Sequence, residues 1–251
     1  MVRWQAVSFP NGRGQKLAGI FGQPANPAKR VVVMCHGFTG DKLGGGAQEL
    51  AGELARLGWA TCAFDFAGCG ESEGDFADLT LSGQVGDLTA AVDWCFGQGF
   101  NRLVTLGRSF GGSTVVCQAA GDRRVGGVAT FAAVAGLTDL FTGFAGGAVE
   151  TAGDPEEPVY LPEATLKRKF FADLRGWDVL DCAARLSPRP FLVLHGTADD
   201  VVPPRDAELL YQAAGEPKRM LLVQGADHQF AGGLAEAWQA FLTWLDMPYM
   251  L

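Results

Sequence analysis

The chain has 251 residues, of which 48% are hydrophobic and 19% are charged, and its formal net charge is −8. This composition is typical of a compact globular chain and excludes a disordered or coiled-coil protein. Nucleic acid is excluded as an expected partner, because binding a polyanion requires a basic surface. The length allows one large core, and we expect a single domain over residues 1–251.

The apolar pattern predicts an alternation of strands and helices along the chain. Residues 4–9 and 16–22 flank Asn11-Gly12 and predict an antiparallel hairpin at a sheet edge. Further short apolar runs predict strands at 30–35, 59–66, 103–106, 127–133, 190–195 and 220–224. Between and after these strands, apolar residues recur at helical spacing. They are Leu50, Leu54 and Leu57, then Val85, Leu88, Val92 and Phe96, and finally Leu234, Trp238, Phe241 and Leu245. This alternation predicts an α/β fold with a mostly parallel, twisted sheet and helices on both faces.

One segment, from about residue 136 to 181, interrupts this alternation. It contains no evident strand, an acidic, proline-containing stretch at 154–158, and an expected helix over 162–174. We interpret it as a short lid insertion over the ligand crevice, because that crevice lies at the carboxyl ends of the strands in open α/β sheets. A surface excursion without a role is the alternative. The basic run 167–169 within it is interpreted as a solvated helix face rather than a site that attracts an anionic substrate.

The sequence also carries signals about location and redox chemistry. Neither the first 30 residues nor any later segment has the apolar length of a signal peptide or a membrane span, so we expect a cytoplasmic protein without a membrane span. The six cysteines form no C-x-x-C pair and are expected to be buried, reduced thiols. Monomer and homodimer both stay open.

The pentapeptide Gly107-Arg108-Ser109-Phe110-Gly111 lies between the apolar run 103–106 and a stretch of small residues that predicts a helix. This is the layout of a nucleophile elbow, a sharp strand-to-helix turn that exposes a serine hydroxyl and leaves no room for bulky neighbours. Taken alone the pattern is weak, because 35 glycines in 251 residues generate such spacings by chance. A glycine-serine turn without chemistry is the alternative at this point.

A serine hydroxyl becomes a good nucleophile only when a base, usually a histidine held by a carboxylate, takes its proton. His36 and His195 each end an apolar strand directly before a glycine, where histidine typically hydrogen-bonds the loop that follows. His228 instead lies in a polar loop between the strand at 220–224 and the last helix. We therefore predict that His228 is the base.

The carboxylate should come from another strand end, and two adjacent candidates, Asp199 and Asp200, follow the strand that ends at His195. Asp199 is preferred because its spacing from His195 and from Val202-Pro203 resembles a loop that recurs in enzymes with such a serine and histidine. Asp200 is then a turn or capping residue. Asp199 would orient His228 and stabilise the imidazolium that forms during attack.

Acyl transfer also requires donors for the oxyanion that develops on the attacked carbonyl. One is the backbone N–H of Phe110, directly after the nucleophile, and the other is expected from the loop at 36–40, at the N–H of Phe38. The predicted triad follows the chain order serine, aspartate, histidine. That order is the one of the α/β-hydrolase arrangement and differs from the chymotrypsin and subtilisin orders.

Five motifs together resemble the α/β-hydrolase superfamily over nearly the whole chain apart from the lid segment. They are His36-Gly37-Phe38-Thr39-Gly40, Asp65-Phe66-Ala67-Gly68-Cys69-Gly70-Glu71-Ser72, Gly107-Arg108-Ser109-Phe110-Gly111-Gly112, the Asp199 loop and Gly225-Ala226-Asp227-His228-Gln229-Phe230. Within the superfamily the chain looks most like bacterial feruloyl and cinnamoyl esterases, followed by monoacylglycerol-lipase-like and acyl-aminopeptidase-like relatives. The resemblance implies the triad Ser109, Asp199 and His228, with Phe38 and Phe110 as the oxyanion donors.

Two details accompany this resemblance. Arg108 stands where many relatives have histidine before the nucleophile, and the resemblance implies that this side chain points away from the reacting group. The loop from Asp65 to Ser72 lacks the G-x-G-x-x-G spacing and is interpreted as a structural turn rather than a nucleotide-binding loop.

The leading hypothesis is a serine hydrolase that cleaves carboxylic esters, with hydroxycinnamoyl or short and medium acyl esters as candidate substrates, and that requires no metal or cofactor. A peptidase or thioesterase with the same triad is the alternative, and a non-catalytic binding protein is disfavoured because no triad member is missing. In the lid segment, Leu137, Phe141 and Phe144 are expected to form an apolar wall. Asp139 and Tyr160 are expected to contact a hydroxylated ring or to have only surface roles.

Overall fold

The computed structural model describes residues 2–26 and 29–247 and places ten strands in two sheets. The strands are β1 (Arg3–Pro10), β2 (Lys16–Gln23), β3 (Arg30–Cys35), β4 (Ala60–Phe64), β5 (Arg102–Arg108), β6 (Val125–Phe131), β7 (Pro158–Tyr160), β8 (Thr165–Lys167), β9 (Phe191–Gly196) and β10 (Lys218–Val223). The large sheet has the order β1-β2-β4-β3-β5-β6-β9-β10. Its pairs are parallel from β4 to β10, whereas β1–β2 and β2–β4 are antiparallel.

Helices cover both faces of this sheet and enclose a core on each. They are α1 (Ala47–Arg56), α2 (Leu81–Gly97), α3 (Phe110–Gly121), α4 (Leu137–Phe144), α5 (Lys169–Leu174), α6 (Val179–Ala184), α7 (Arg205–Ala213) and α8 (Leu234–Leu245). Buried side chains of α2, α3, α6 and α7 belong to one core, and those of α1 and α8 belong to the other. Strand β3 contributes side chains to both cores, because successive side chains of a strand point to opposite faces of the sheet. Val31 and Val33 lie in the first core and Val32 in the second.

The predicted α/β fold is confirmed, with a mostly parallel sheet and helices on both faces. The N-terminal hairpin lies at the sheet edge as expected, since β1 is the outermost strand. The prediction for 30–35 coincides with β3, and the other sheet strands begin and end within about two residues of the predicted bounds. The six cysteines are free and buried, as expected.

The segment 136–181 differs from the prediction in its secondary structure. It contains α4, the antiparallel pair β7–β8 and α5, and it ends within α6. The expectation of no strand, and of a helix over 162–174, is therefore wrong. The Leu161 amide donates to the Ala164 carbonyl at 2.8 Å, so residues 161–164 form the turn of a hairpin, and the helix starts only at Lys169. Leu166 is buried and its neighbour Thr165 is exposed, which is strand periodicity.

The basic run 167–169 is not a solvated helix face, because its charges are paired. The ammonium groups of Lys167 and Lys169 each contact Asp78 and Glu156 at 2.5–2.8 Å. Arg168 pairs with Glu157. These contacts connect the segment to the 3₁₀ turn that contains Asp78. Among the described residues no helix has both the length and the apolar character needed to cross a membrane, and the cytoplasmic location stays a prediction.

Candidate active site

Ser109 lies in the tight turn between β5 and α3, with the strained backbone angles φ 52° and ψ −123°. The surrounding glycines are required by close approach of the backbone. A Cβ atom at Gly107 would overlap the Gly111 carbonyl, and one at Gly111 would overlap the carbonyl of His36. A Cβ atom at Gly112 would lie 2.6 Å from that of Ala133. The turn is thus packed as a nucleophile elbow must be, with the serine held above the ends of the central strands.

The structure brings Ser109, His228 and Asp199 together in a hydrogen-bonded chain. Ser109 Oγ lies 3.1 Å from His228 Nε2, and His228 Nδ1 lies 2.8 Å from Asp199 Oδ2. The three residues follow β5, β9 and β10, whose carboxyl ends meet at one edge of the parallel sheet. Asp200 is exposed, whereas Asp199 is buried. This geometry allows His228 to accept the hydroxyl proton of Ser109 while Asp199 holds the imidazole.

Asp199 is held by four donors. Its Oδ1 accepts from the amides of Val201 at 3.0 Å and Val202 at 2.8 Å. Its Oδ2 contacts His228 and, at 3.1 Å, the Nε2 of the fully buried His195. Burial by itself would raise the pKa of Asp199, but the hydrogen bonds from His195, His228 and the Val202 amide outweigh it and hold the pKa well below its usual range. The carboxylate is therefore ionised at neutral pH.

The other two histidines hold loops, as their positions in the sequence indicated. His195 Nε2 lies 3.0 Å from the Val202 carbonyl, within the loop that follows β9. His36 Nδ1 donates to the Gly37 carbonyl at 2.8 Å, and its Nε2 accepts from the Phe66 amide at 3.1 Å. Burial lowers the pKa of His36, which favours the neutral ring that this pair of bonds requires. What the sequence did not reveal is the second contact of His195, to Asp199.

The loop at 36–40 passes directly against Ser109. A Cβ atom built on Gly37 would lie 3.2 Å from that of Ser109. Phe38 lines the same cavity as Ser109, and Phe110 is the first residue of α3, where helical N–H groups have no partner within the helix. The loop that carries Phe38 thus lies beside Ser109, Phe110 follows Ser109 directly, and the role of their amides as oxyanion donors stays a prediction.

The loop from Asp65 to Ser72 has a structural arrangement. Asp65 is fully buried and accepts from the Lys42 amide at 2.7 Å, from the Lys42 ammonium at 2.6 Å and from the Glu71 amide at 2.9 Å. Ser72 Oγ donates to the Asp65 carbonyl at 2.6 Å. These contacts tie the loops after β3 and β4 together, which agrees with the interpretation of this motif as a turn.

Arg108 is a functional candidate that the sequence did not reveal. Its Nη2 donates to the His228 carbonyl at 2.8 Å and to Gln229 Oε1 at 2.9 Å, so the guanidinium reaches the loop that carries His228, the predicted base. The resemblance implied a side chain that points away from the reacting group. Arg108 instead connects the elbow to the base loop, and it lines the cavity at Ser109.

Replacing Arg108 with methionine should lower kcat about 10- to 100-fold, because small displacements of a catalytic base have large kinetic effects. The measurement is kcat and KM for a short ester, with thermal unfolding as a check on the fold. Arg102→Met is the matched control, since Arg102 is exposed at the start of the same strand. An unchanged kcat in Arg108→Met would contradict a positioning role.

A cavity of about 470 Å³ opens at Ser109, a volume typical of small-molecule sites. Phe141 and Phe144 line it, as predicted for the lid segment. Leu137, Asp139 and Tyr160 are not among the residues that line it, which corrects the expectation of a wall contact for Leu137 and favours the surface role over ring contact for Asp139 and Tyr160. Leu137 is buried in the core, Asp139 is exposed on α4, and Tyr160 is 74% exposed on β7. Leu140 and Leu161 line the cavity in their place.

The family model described as Hydrolase_4, serine aminopeptidase S33, matches residues 26–153, just over half of the chain. The chain belongs to this family. The S33 match covers the loop at 36–40 and the elbow at Ser109, and it ends within the lid segment. The fold is accordingly that of the α/β-hydrolase superfamily, as the sequence motifs implied.

Curated relatives cover most of this S33 family member. The uncharacterized protein YfhR of Salmonella typhi is 29% identical over 250 residues, which is 94% of this chain and 78% of the relative. The uncharacterized protein Rv2307c of Mycobacterium tuberculosis is 30% identical over 219 residues, which is 86% of this chain and 69% of the relative.

Solved structures extend the similarity to esterases. Est1E of Butyrivibrio proteoclasticus, solved with bound ferulic acid, superposes with a TM-score of 0.86 at 22% identity and covers 96% of this chain and 98% of its own. The esterase domain of a Rhodothermus marinus protein superposes with a TM-score of 0.77 at 25% identity and covers 97% of this chain and 98% of its own. Together with the family match, these similarities identify a hydrolase.

Proposed function

We propose that this hydrolase is a serine esterase that cleaves carboxylic esters through an acyl-enzyme intermediate. Ser109 Oγ attacks the ester carbonyl while its proton passes to His228 Nε2, and the oxyanion rests on the Phe38 and Phe110 amides. The bond to the alcohol oxygen then breaks, and His228 returns the proton to that oxygen. Water, deprotonated by His228, then attacks the acyl carbonyl, the bond from that carbon to Ser109 Oγ breaks, and His228 returns the proton to Ser109 Oγ as the acid leaves.

The observation that carries the proposal is the chain of contacts from Ser109 Oγ through His228 to Asp199, at 3.1 and 2.8 Å, at the opening of a largely apolar cavity. All three groups lie within hydrogen-bonding distance, which is the arrangement that activates a serine hydroxyl for attack. The intact triad disfavours a purely binding role.

Peptide cleavage is the second candidate, because the matching family is described as a serine aminopeptidase. An aminopeptidase must hold the free ammonium group of its substrate, which calls for a buried carboxylate near the site. Among the described residues that line the cavity, the acidic ones are Asp41 and Glu163, and both are exposed. The apolar lining therefore favours an ester over a peptide.

The acyl group that we propose is an aromatic or medium aliphatic one. Six described residues on one side of the cavity present aromatic or aliphatic side chains: Phe38, Phe110, Leu140, Phe141, Phe144 and Leu161. The similarity to Est1E, which was solved with ferulic acid, adds a hydroxycinnamoyl ester as a candidate substrate. A thioester with the same acyl group fits the same lining.

The experiment is a screen of the purified protein against p-nitrophenyl esters of increasing acyl length, hydroxycinnamate esters, acyl thioesters and aminoacyl anilides. We expect ester hydrolysis, with kcat/KM rising as the acyl group lengthens. Cleavage of the anilides with no cleavage of esters would contradict the esterase proposal and favour the peptidase. The Ser109→Ala variant serves as the blank for each substrate.

A further inference from the structure

The cavity at Ser109 extends to both faces of the sheet, and this division is the basis of a specificity inference. The side chains around Phe38, Phe110 and Phe141 pack in the core on the α3 face. A second set of lining residues belongs instead to the α1 and α8 side. These are Met34, Ala47, Leu50, Leu106, Leu234 and Trp238. We call the first part the lid arm and the second part the α8 arm.

The α8 arm is a part of the cavity that is lined by apolar side chains. Met34 lies on β3, a central strand, and it is nevertheless only partly buried, because its side chain faces the cavity. Leu234 and Trp238 are likewise half-buried on α8, with their lining surfaces in the cavity. Trp238 packs directly on Gly46, where a Cβ atom would lie 2.6 Å from the indole ring. Gly46 also has φ 73°, a conformation that favours glycine, and the absence of a Cβ atom there leaves room for the ring.

The position of the base decides which part of an ester each arm can take. In acyl transfer the leaving oxygen receives its proton from the histidine, so the leaving group must lie on the histidine side of the serine. Leu234 and Trp238 follow His228 in the chain, on the helix that its loop enters. The lid arm lies on the side of Phe38 and Phe110, where the oxyanion and the acyl chain are expected.

We infer that the α8 arm is a leaving-group subsite that takes an apolar alkyl or arylalkyl alcohol, while the lid arm takes the acyl group. This inference rests on the proposed esterase function. Arg108 also lines the cavity, its Nη1 would be 3.0 Å from a Cβ atom on Gly45, and its Nη2 donates to the His228 carbonyl. Beyond Arg108 the lining side chains of this arm are hydrocarbon or aromatic, apart from the thioether of Met34. An alcohol with charge or several hydroxyl groups would lose its hydration there without gaining partners.

The test uses two series of esters with acid release as the readout. In the first, the acyl group is butyryl and the alcohol is methanol, butanol, hexanol or 2-phenylethanol. In the second, the alcohol is ethanol and the acyl group has two to eight carbons. We expect kcat/KM of the wild type to rise in the alcohol series by up to about fourfold per methylene.

Trp238→Ala should lower kcat/KM for hexyl butyrate at least about tenfold and leave the dependence on acyl length intact. Phe144→Ala should do the reverse, with a weaker dependence on acyl length and an unchanged dependence on the alcohol. Gln239→Ala is the matched control on α8, since Gln239 is exposed and does not line the cavity. Should Trp238→Ala fail to fold, Ala47→Phe gives the complementary result, because filling the arm should exclude hexyl and phenylethyl esters and retain methyl esters.

Three outcomes overturn the inference. A wild type that depends on acyl length and is indifferent to the alcohol would disprove the α8 arm subsite and leave the esterase proposal standing. An effect of Trp238→Ala on the acyl series rather than the alcohol series would reverse the assignment of the two arms. Absence of hydrolysis in both series would overturn the proposed function and the inference together.

Discussion

Replacing Ser109 with alanine should reduce ester turnover by up to about a millionfold, as removal of the nucleophile does in serine proteases. The reason is the geometry around its hydroxyl, which lies 3.1 Å from His228 Nε2. Alanine keeps the backbone of the elbow and occupies no new space, so the fold should persist. The measurement is the initial rate on a p-nitrophenyl ester, with circular dichroism and thermal unfolding to confirm the fold.

Ser113→Ala is the matched control for this variant. Ser113 lies one turn further along α3, and its buried hydroxyl donates to the Val134 carbonyl at 2.6 Å. Its removal leaves a buried carbonyl without this donor and should lower the free energy of unfolding by about 1–3 kcal/mol. Turnover should be retained, because this hydroxyl is outside the proposed triad. Substantial hydrolysis by Ser109→Ala would contradict the assignment of the nucleophile.

Replacing Asp199 with asparagine should lower kcat by about 10⁴-fold, the loss seen when the orienting aspartate of a serine hydrolase loses its charge. Asp199 Oδ2 lies 2.8 Å from His228 Nδ1, so an amide there would favour the wrong tautomer of the imidazole. It would also remove the negative charge that stabilises the imidazolium during attack. The measurement is kcat for a short ester at neutral pH.

Asp200→Asn is the control, because it makes the same chemical change at the neighbouring, exposed residue. We expect its kcat to stay near that of the wild type. Equal, mild losses in the two variants would mean that neither carboxylate orients the base. His195 contacts the same Oδ2 atom of Asp199 as His228 does. The kcat values of Asp199→Asn and Asp200→Asn must therefore be compared at one pH and one ionic strength.

The strands and the proximity of Ser109, Asp199 and His228 could be predicted because each depends on a local pattern. A buried parallel strand such as β3 is a continuous apolar run, and the ends of such strands meet at one edge of the sheet. Once Ser109, Asp199 and His228 were each placed after a strand, their proximity followed from the fold. The glycines of the elbow could be predicted as well, because the tight turn leaves no room for side chains at their positions.

The lid segment and the arms of the cavity could not be predicted in the same way. Strands β7 and β8 have three residues each, too few for an alternating pattern to be recognised, and Pro162 suggested a helix start where the structure has a turn. The spacing of Leu234, Trp238, Phe241 and Leu245 predicts a helix with an apolar face and does not by itself indicate a cavity. Leu234 and Trp238 continue that apolar stripe beyond the buried Phe241, and this extension is the signal that could have indicated a cavity wall.

Arg108 shows a different limit of sequence reasoning. A long side chain beside the nucleophile can reach contacts that no spacing encodes, and its partners at His228 and Gln229 lie 120 and 121 residues further along the chain. Polar contacts of this range depend on the packed structure. The same holds for the contact between His195 and Asp199, whose spacing of four residues across a loop gives no regular geometry.

The most direct test of the proposed chemistry is covalent labelling of the nucleophile. The protein would be treated with an alkyl fluorophosphonate, which loses fluoride when an activated serine attacks phosphorus, and then analysed by intact and peptide mass spectrometry. We expect one phosphonyl group per chain, on the peptide that contains Ser109, with ester hydrolysis lost in proportion and no labelling of Ser109→Ala. Full labelling of another residue, or full activity after stoichiometric labelling of Ser109, would contradict the proposed role of Ser109.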